Sequence, residues 1–254
     1  MAPTQVYWQV SHQNILRAIY WATKKLKYSI DRPGMNRRPQ SEALDDKIMG
    51  DIATIAVLEY LASIGVISVA YDHYRSDNFQ RPDPGWDIAI GLQAQQWAKT
   101  TSDLMSPSDL TTVSVKSSRL PKGQDVNQAI QTRDFKIFKF TDSIGKDLNT
   151  NIELQVYYPL ETTQLGNLEV TPQDVEAIKN LSQFSQVECQ IIHDKLNVTQ
   201  RWGTCALVGY NDRENMVNQS STLNSQSWSS FGKEMWCAPL RLGKEMSTLI
   251  DFNI

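Results

Sequence analysis

Two residues, Asp87 and Lys116, are the ones in this sequence best suited to chemistry. Asp87 follows the Pro84-Gly85 turn and opens the run Asp-Ile-Ala-Ile; Lys116 lies inside Val113-Ser114-Val115-Lys116-Ser117-Ser118. Side chains alternate faces along a strand, so Val113 and Val115 point one way while Ser114 and Lys116 point the other. Two adjacent strands can then present an aspartate and a lysine on one face. Hydrolysis of a phosphodiester uses such a set: a metal to polarise the phosphate, carboxylates to hold the metal, and a positive group near the attacking water. Mg²⁺ takes hard oxygen ligands and keeps several waters, so one or two protein carboxylates suffice. Pro82-Asp83 also offers an aspartate, but Pro84 and Gly85 directly after it prevent a strand from starting there, which makes Asp83 a turn residue.

The elements that must position these residues follow from periodicity. Ile15, Ile19, Ala22 and Leu26 recur at helical spacing and predict a helix over 6–29. Residues 31–41 are loop, marked by Pro33-Gly34 and Pro39. Residues 45–63 predict a helix that is apolar nearly all round, hence buried, and ended by Gly65. Strands are expected at 66–73, 86–92 and 110–120, then a short helix near 125–133, then strands at 135–140 and 152–160. Thr171 and Pro172 cap a helix over 171–183. Strands at 202–210 and 233–240 flank a Ser/Asn-rich loop with a short helix inside it, over 211–230. Helices, a run of strands, a helix and further strands predict one α/β domain with a central mixed sheet flanked by helices.

Asp87-Ile88-Ala89-Ile90 followed by Ser114-Val115-Lys116, in the wider order helix, strand, Asp strand, Lys strand, resembles the PD-(D/E)XK nuclease superfamily, whose members have a restriction-endonuclease-like fold. The resemblance covers residues of about 45–160, with 1–44 as a helical arm and 161–254 as an extension that completes the sheet or contacts DNA. It implies that Asp87 holds Mg²⁺ and that Lys116 orients or activates water. It further implies a type II restriction enzyme that cuts double-stranded DNA as a homodimer in a prokaryotic cytoplasm. A repair or recombination nuclease of the same superfamily is the first alternative, and a DNA-binding protein that has lost its acid is the second. The chain departs from the pattern at Ser114, where the family has Asp or Glu. A helix acid is expected to replace it. Glu59 ranks first, because it lies in the apolar stretch Ile-Ala-Val-Leu-Glu-Tyr-Leu. Asp51, eight residues earlier, and Asp125, nine residues after Lys116, are the others.

Composition bounds these readings. With 41% hydrophobic and 21% charged residues the chain buries a core. No 18-residue apolar run predicts a membrane span, and the first residues do not read as a secretory signal. A net charge of −3 argues against a protein that coats nucleic acid but leaves room for one basic cleft. Candidate phosphate contacts are Arg75, Arg119 and Lys122 around the site, and Lys24, Lys25, Arg37 and Arg38 in a basic N-terminal stretch. The Asn/Gln-rich 211–230 segment has the side chains to read bases. Three cysteines fit a reducing compartment. Cys189, His193, Cys205 and Cys237 leave zinc open, without a Cys-x2-Cys pair. No Gly-x-Ser-x-Gly, P-loop or Gly-x-Gly-x-x-Gly motif is present.

Overall fold

Alternation in a single strand organises the whole molecule. Ile152, Leu154, Val156 and Tyr158 enter one core cluster, while Tyr157 enters another on the opposite face, so this strand is buried on both sides. The structure is a computed structural model, which describes all residues except 1, 27, 29–38, 78, 80–83, 102–103, 105–106, 108, 121–122, 160–169, 221–225, 229–232 and 254. In chain order the elements are β1 (Val6–Gln9), α1 (His12–Leu26), α2 (Gln40–Ser63), β2 (Ser68–Ala70), α3 (Tyr71–Tyr74), β3 (Ile88–Ile90), α4 (Ala94–Thr100), β4 (Thr111–Arg119) and α5 (Val126–Thr132). They continue with β5 (Asp134–Phe138), α6 (Ile144–Asp147), β6 (Ile152–Tyr158), α7 (Pro172–Lys179), α8 (Gln186–Leu196) and α9 (Val198–Trp202). The described chain closes with β7 (Thr204–Asp212), α10 (Arg213–Ser220), β8 (Gln226–Trp228), β9 (Lys233–Pro239) and two 3₁₀ turns.

Six strands form a mixed sheet in the order β1-β7-β6-β4-β3-β2. Strands β2, β3 and β4 make an antiparallel meander, and β4 pairs with β6 in parallel. Parallel neighbours need a long crossover, and the chain between Arg119 and Ile152 supplies it with α5, β5 and α6. Helices α1, α2, α7, α8 and α9 cover one face of the sheet. α2 lies at the centre of that layer, with Leu44, Ile48, Ile52, Val57 and Leu61 fully buried, as its all-round apolar sequence requires. Gly65 follows it at φ +80°, a conformation that glycine adopts without strain.

Several boundaries depart from expectation. Residues 6–9 are a strand rather than the start of the first helix, because they pair with Leu207–Thr204 of β7. The strand expected over 66–73 shortens to β2, and the chain turns at once into α3. The 86–92 strand shortens to β3. Trp202 ends α9 and β7 runs from Thr204 to Asp212. In the loop expected at 211–230, α10 is the short helix expected there, while β7 reaches Asp212 and β8 is an added strand. The largest difference is that the strands expected near 135–140 and 233–240 do not join the main sheet. As β5 and β9 they pair with each other and with β8 in a second, three-stranded sheet. α5, β5 and residues near Ile144 and Met216 pack on the main sheet's second face through Tyr157, Ala206 and Val208.

Candidate functional site

The second face of β4 and β6 holds a polar cluster of Ser114, Lys116, Glu153 and Gln155. Val113 enters the helix-side core and Val115 packs against it, which turns Ser114 and Lys116 toward the second sheet. On the parallel neighbour, Glu153 stands in register with Ser114 and Gln155 with Lys116. Lys116 Nζ donates to Ser114 Oγ at 2.6 Å and lies 3.7 Å from Glu153 Oε2. Thr150 Oγ1 donates to Glu153 Oε1 at 2.7 Å, while Oε2 is buried without a hydrogen-bond partner. Glu153 is 4% exposed, whereas the Lys116 side chain is 43% exposed. Burial pushes the Glu153 carboxyl above the usual carboxylate range, against the downward pull of Lys116, Thr150 and Ser114. These groups form the floor of a cleft of about 530 Å³ whose other wall is β5, with Arg133, Lys136 and Phe138.

Asp87 takes a different position. Its amide donates to Val113 O at 2.9 Å, and its carboxylate Oδ2 accepts the Val115 amide at 2.7 Å. The side chain thereby satisfies a backbone donor on β4 beyond the last paired residues of β3. It lines a second cavity of about 380 Å³ with Lys25, Lys47, Asp51 and Asp72, and Val115 is a wall of both cavities. The structure therefore does not bring Asp87 and Lys116 into one pocket. Ser114 and Lys116 do come together, and the acid beside them is Glu153. Among the described residues, no group of three or more His, Cys, Asp or Glu is placed to hold a metal ion.

The three acids considered for the gap at Ser114 serve elsewhere. Glu59 accepts from Trp8 Nε1 at 2.7 Å and from Asn14 Nδ2 at 2.5 Å, tying α2 to β1 and α1. Glu59→Ala is expected to lower stability by about 1–3 kcal/mol, because two donors lose their acceptor; a urea unfolding curve with an unmoved midpoint would refute this. Asp51 forms an ion pair with Lys25, which also reaches Asp72 at 2.7 Å. Burial pushes Asp51 up to about 6, against the pull of Lys25. Asp125 caps α5, accepting from Gln128 N at 2.8 Å while its own amide donates to Gln128 Oε1 at 2.9 Å.

The expected phosphate contacts fare in the same way. Arg75 is held by Asp77 at 2.8 Å and stacks over Phe79 and Tyr71 at 4.6 and 4.8 Å, so its guanidinium is committed to the fold. Lys24 donates to the carbonyls of Lys179 at 2.7 Å and Leu181 at 2.5 Å. Arg119 binds Asp46 at 2.7 Å and lies beside Asp45. Lys122, Arg37 and Arg38 lie outside the described residues, as does Asp83. Cys189 and Cys205 are buried in the helix-side core, and burial pushes both thiols up to about 12. Cys237 belongs to β9.

Glu153 escaped sequence reasoning, although it left a signal. In Ile152-Glu153-Leu154-Gln155-Val156 an acid and an amide alternate with apolar residues in a strand, which places both on the face opposite the aliphatic core. The pairing with Ser114 crosses 39 residues and is not encoded locally. No family model, curated protein or solved structure matches the chain.

Proposed function

We propose that this chain is a divalent-metal-dependent endonuclease of restriction-endonuclease-like architecture, hydrolysing phosphodiester bonds in duplex DNA. The observation that carries the reading is Glu153 beside Ser114. On the next strand, in the same cleft as Lys116, Glu153 offers a carboxylate that would stand in for the acid absent from the acid-X-Lys triplet. The element order supports it: a buried helix, a three-strand meander with a lysine in its third strand, then a crossover to a parallel strand.

One carboxylate, Glu153, is the candidate ligand for a hard divalent cation in this cleft. Glu153 Oε2 is buried and faces the Lys116 ammonium at 3.7 Å, so a cation bound there would share this oxygen with Lys116. Asp87, bonded to the Val115 amide, lines the other cavity and is not among the candidate ligands here. Bound Mg²⁺ would supply Lewis-acid polarisation of the phosphate. Around it, Thr150 fixes one Glu153 oxygen, Ser114 fixes the Lys116 ammonium, and that ammonium orients water and balances charge developing on the phosphate. Cutting both strands at a symmetric sequence favours a homodimer, since two-fold protein symmetry matches the two strands.

The test is incubation of the purified protein with a mixed-sequence plasmid and Mg²⁺ or Mn²⁺. Discrete fragments support restriction, a smear or junction cutting supports a repair-type nuclease, and intact DNA with both metals removes the enzyme reading. A pH effect follows from the burial of Glu153. Only the carboxylate binds the metal, so Mn²⁺ affinity should fall on acidification at a higher pH than an exposed carboxylate would give. The sign for stability is opposite: a raised acid favours the folded state when protonated, and that contribution is lost as pH rises through its folded value. Mn²⁺ titrations over a pH series, run beside a chelator with solvent-exposed carboxylates, check the first effect. Affinity that is flat across the range would refute it.

A further inference from the structure

The cleft has a shape that bears on which nucleic acid reaches its floor. Ser114 and Glu153 are 3% and 4% exposed, and they lie between the face of the main sheet and the wall made by β5. A base pair inside a stacked duplex brings its partner and both neighbours with it, whereas a single unpaired nucleotide enters alone. A cleft of about 530 Å³ is a small-ligand volume. At its rim Phe140 is 72% exposed, with its ring 6.0 Å from that of Phe138. A large aromatic exposed at the edge of a polar cleft offers a platform on which a base stacks regardless of its identity.

The cleft carries both signs of charge. Lys116, Arg133 and Lys136 supply its cations, while Asp134, which interacts with Lys136 and Arg133, and Glu153, which faces Lys116, oppose them. Asp147, an acid of the same cleft, is already engaged by the amides of Phe140 at 3.0 Å and Thr141 at 3.1 Å and by Trp236 Nε1 at 2.8 Å. Its bonds to 140 and 141 fix the backbone that carries the exposed ring.

Resting on the nuclease reading, we propose that the cleft takes an unpaired DNA nucleotide, its base stacked on Phe140 and its phosphate toward Lys116, so that the cut strand must be locally unpaired. The substrate is then duplex DNA opened at the cut, by a mismatch, fraying or the protein itself, and a single strand serves as its mimic.

Anisotropy of a labelled oligothymidylate and of a fully paired hairpin, both with Ca²⁺, tests the idea. The single strand should bind at least about tenfold more tightly. Phe140→Ala should weaken it by about tenfold and Phe140→Tyr should restore it, the size set by one base–aromatic stack. An exposed ring is removable without unfolding the protein, and circular dichroism checks this. A 2-aminopurine placed at a mismatch should be quenched on binding to the wild type but not to Phe140→Ala. Equal or tighter hairpin binding, or unchanged single-strand affinity in Phe140→Ala, overturns the proposal even if the enzyme cuts duplex DNA. Phe140-dependent single-strand binding without any metal-dependent cleavage supports it while removing the nuclease reading. Binding of neither DNA overturns both.

Discussion

Glu153→Gln is expected to leave a folded protein whose metal-dependent cleavage is reduced by on the order of 10²–10³-fold, the scale on which losing one preorganised electrostatic group is felt. Glutamine keeps the size of the side chain and an oxygen for the Thr150 hydroxyl, which donates at 2.7 Å. It removes the negative charge that neutralises Lys116 and would hold the cation. The stability of the variant separates chemistry from structure. Glu153 is buried, and burial pushes its carboxyl toward the neutral form. Removing a desolvated charge whose cationic partner is 43% exposed, and so can be solvated by water, should change stability by little or raise it. Loss of both kcat and Mn²⁺ affinity with an unchanged urea midpoint is the predicted pattern. Lys116→Ala should lose cleavage to a similar degree while retaining Mn²⁺. If Glu153→Gln cleaves normally, the acid of the site is elsewhere, and Asp87, in the other cavity, becomes the residue to test.

Periodicity carried as far as each strand's own faces. The alternation at 113–116 placed Ser114 and Lys116 together, and Thr171 with Pro172 marked the capped start of α7. It could not carry register. Ser114 meets Glu153 only because a crossover returns β6 parallel to β4, and nothing within either segment specifies that partner. Asp87 shows a second limit. Its sequence context opens a strand, but β3 is only three residues long, and a carboxylate beside an unpaired backbone amide is drawn to it. Glu59 shows a third. An acid in an apolar helix reads as a ligand, yet Trp8 and Asn14, from segments 51 and 45 residues away, supply the donors that make its burial tolerable. The separate sheet of β5, β9 and β8 was hidden for the same reason, since each strand is legible alone and the pairing is not.

Asp45→Ala is expected to destabilise the fold by about 3–5 kcal/mol, the range for breaking a buried ion pair by removing one partner. Asp45 is fully buried on α2, and Arg201 on α9 is 2% exposed. Arg201 Nη1 donates to Asp45 Oδ1 at 2.5 Å, and Trp202 Nε1 donates to the same oxygen at 2.8 Å. Arg119 of β4 lies 3.5 Å from Oδ2, so one carboxylate joins two helices to the strand that carries Lys116. Burial raises the Asp45 carboxyl above its usual range even though Arg201, Trp202 and Arg119 pull it down, which means that desolvation outweighs the attraction. The pair is therefore a constraint on arrangement more than a source of net stability. The large loss in Asp45→Ala comes from the Arg201 guanidinium left without its carboxylate. A double variant, Asp45→Ala with Arg201→Met, should then recover more than half of the loss, because no unpaired charge remains in the core. Urea unfolding at neutral pH of the wild type, both single variants and the double variant measures the coupling directly. Simple additivity of the two single losses would show that the buried pair does not act as a unit, and that the position of β4 under α2 is set by apolar packing alone.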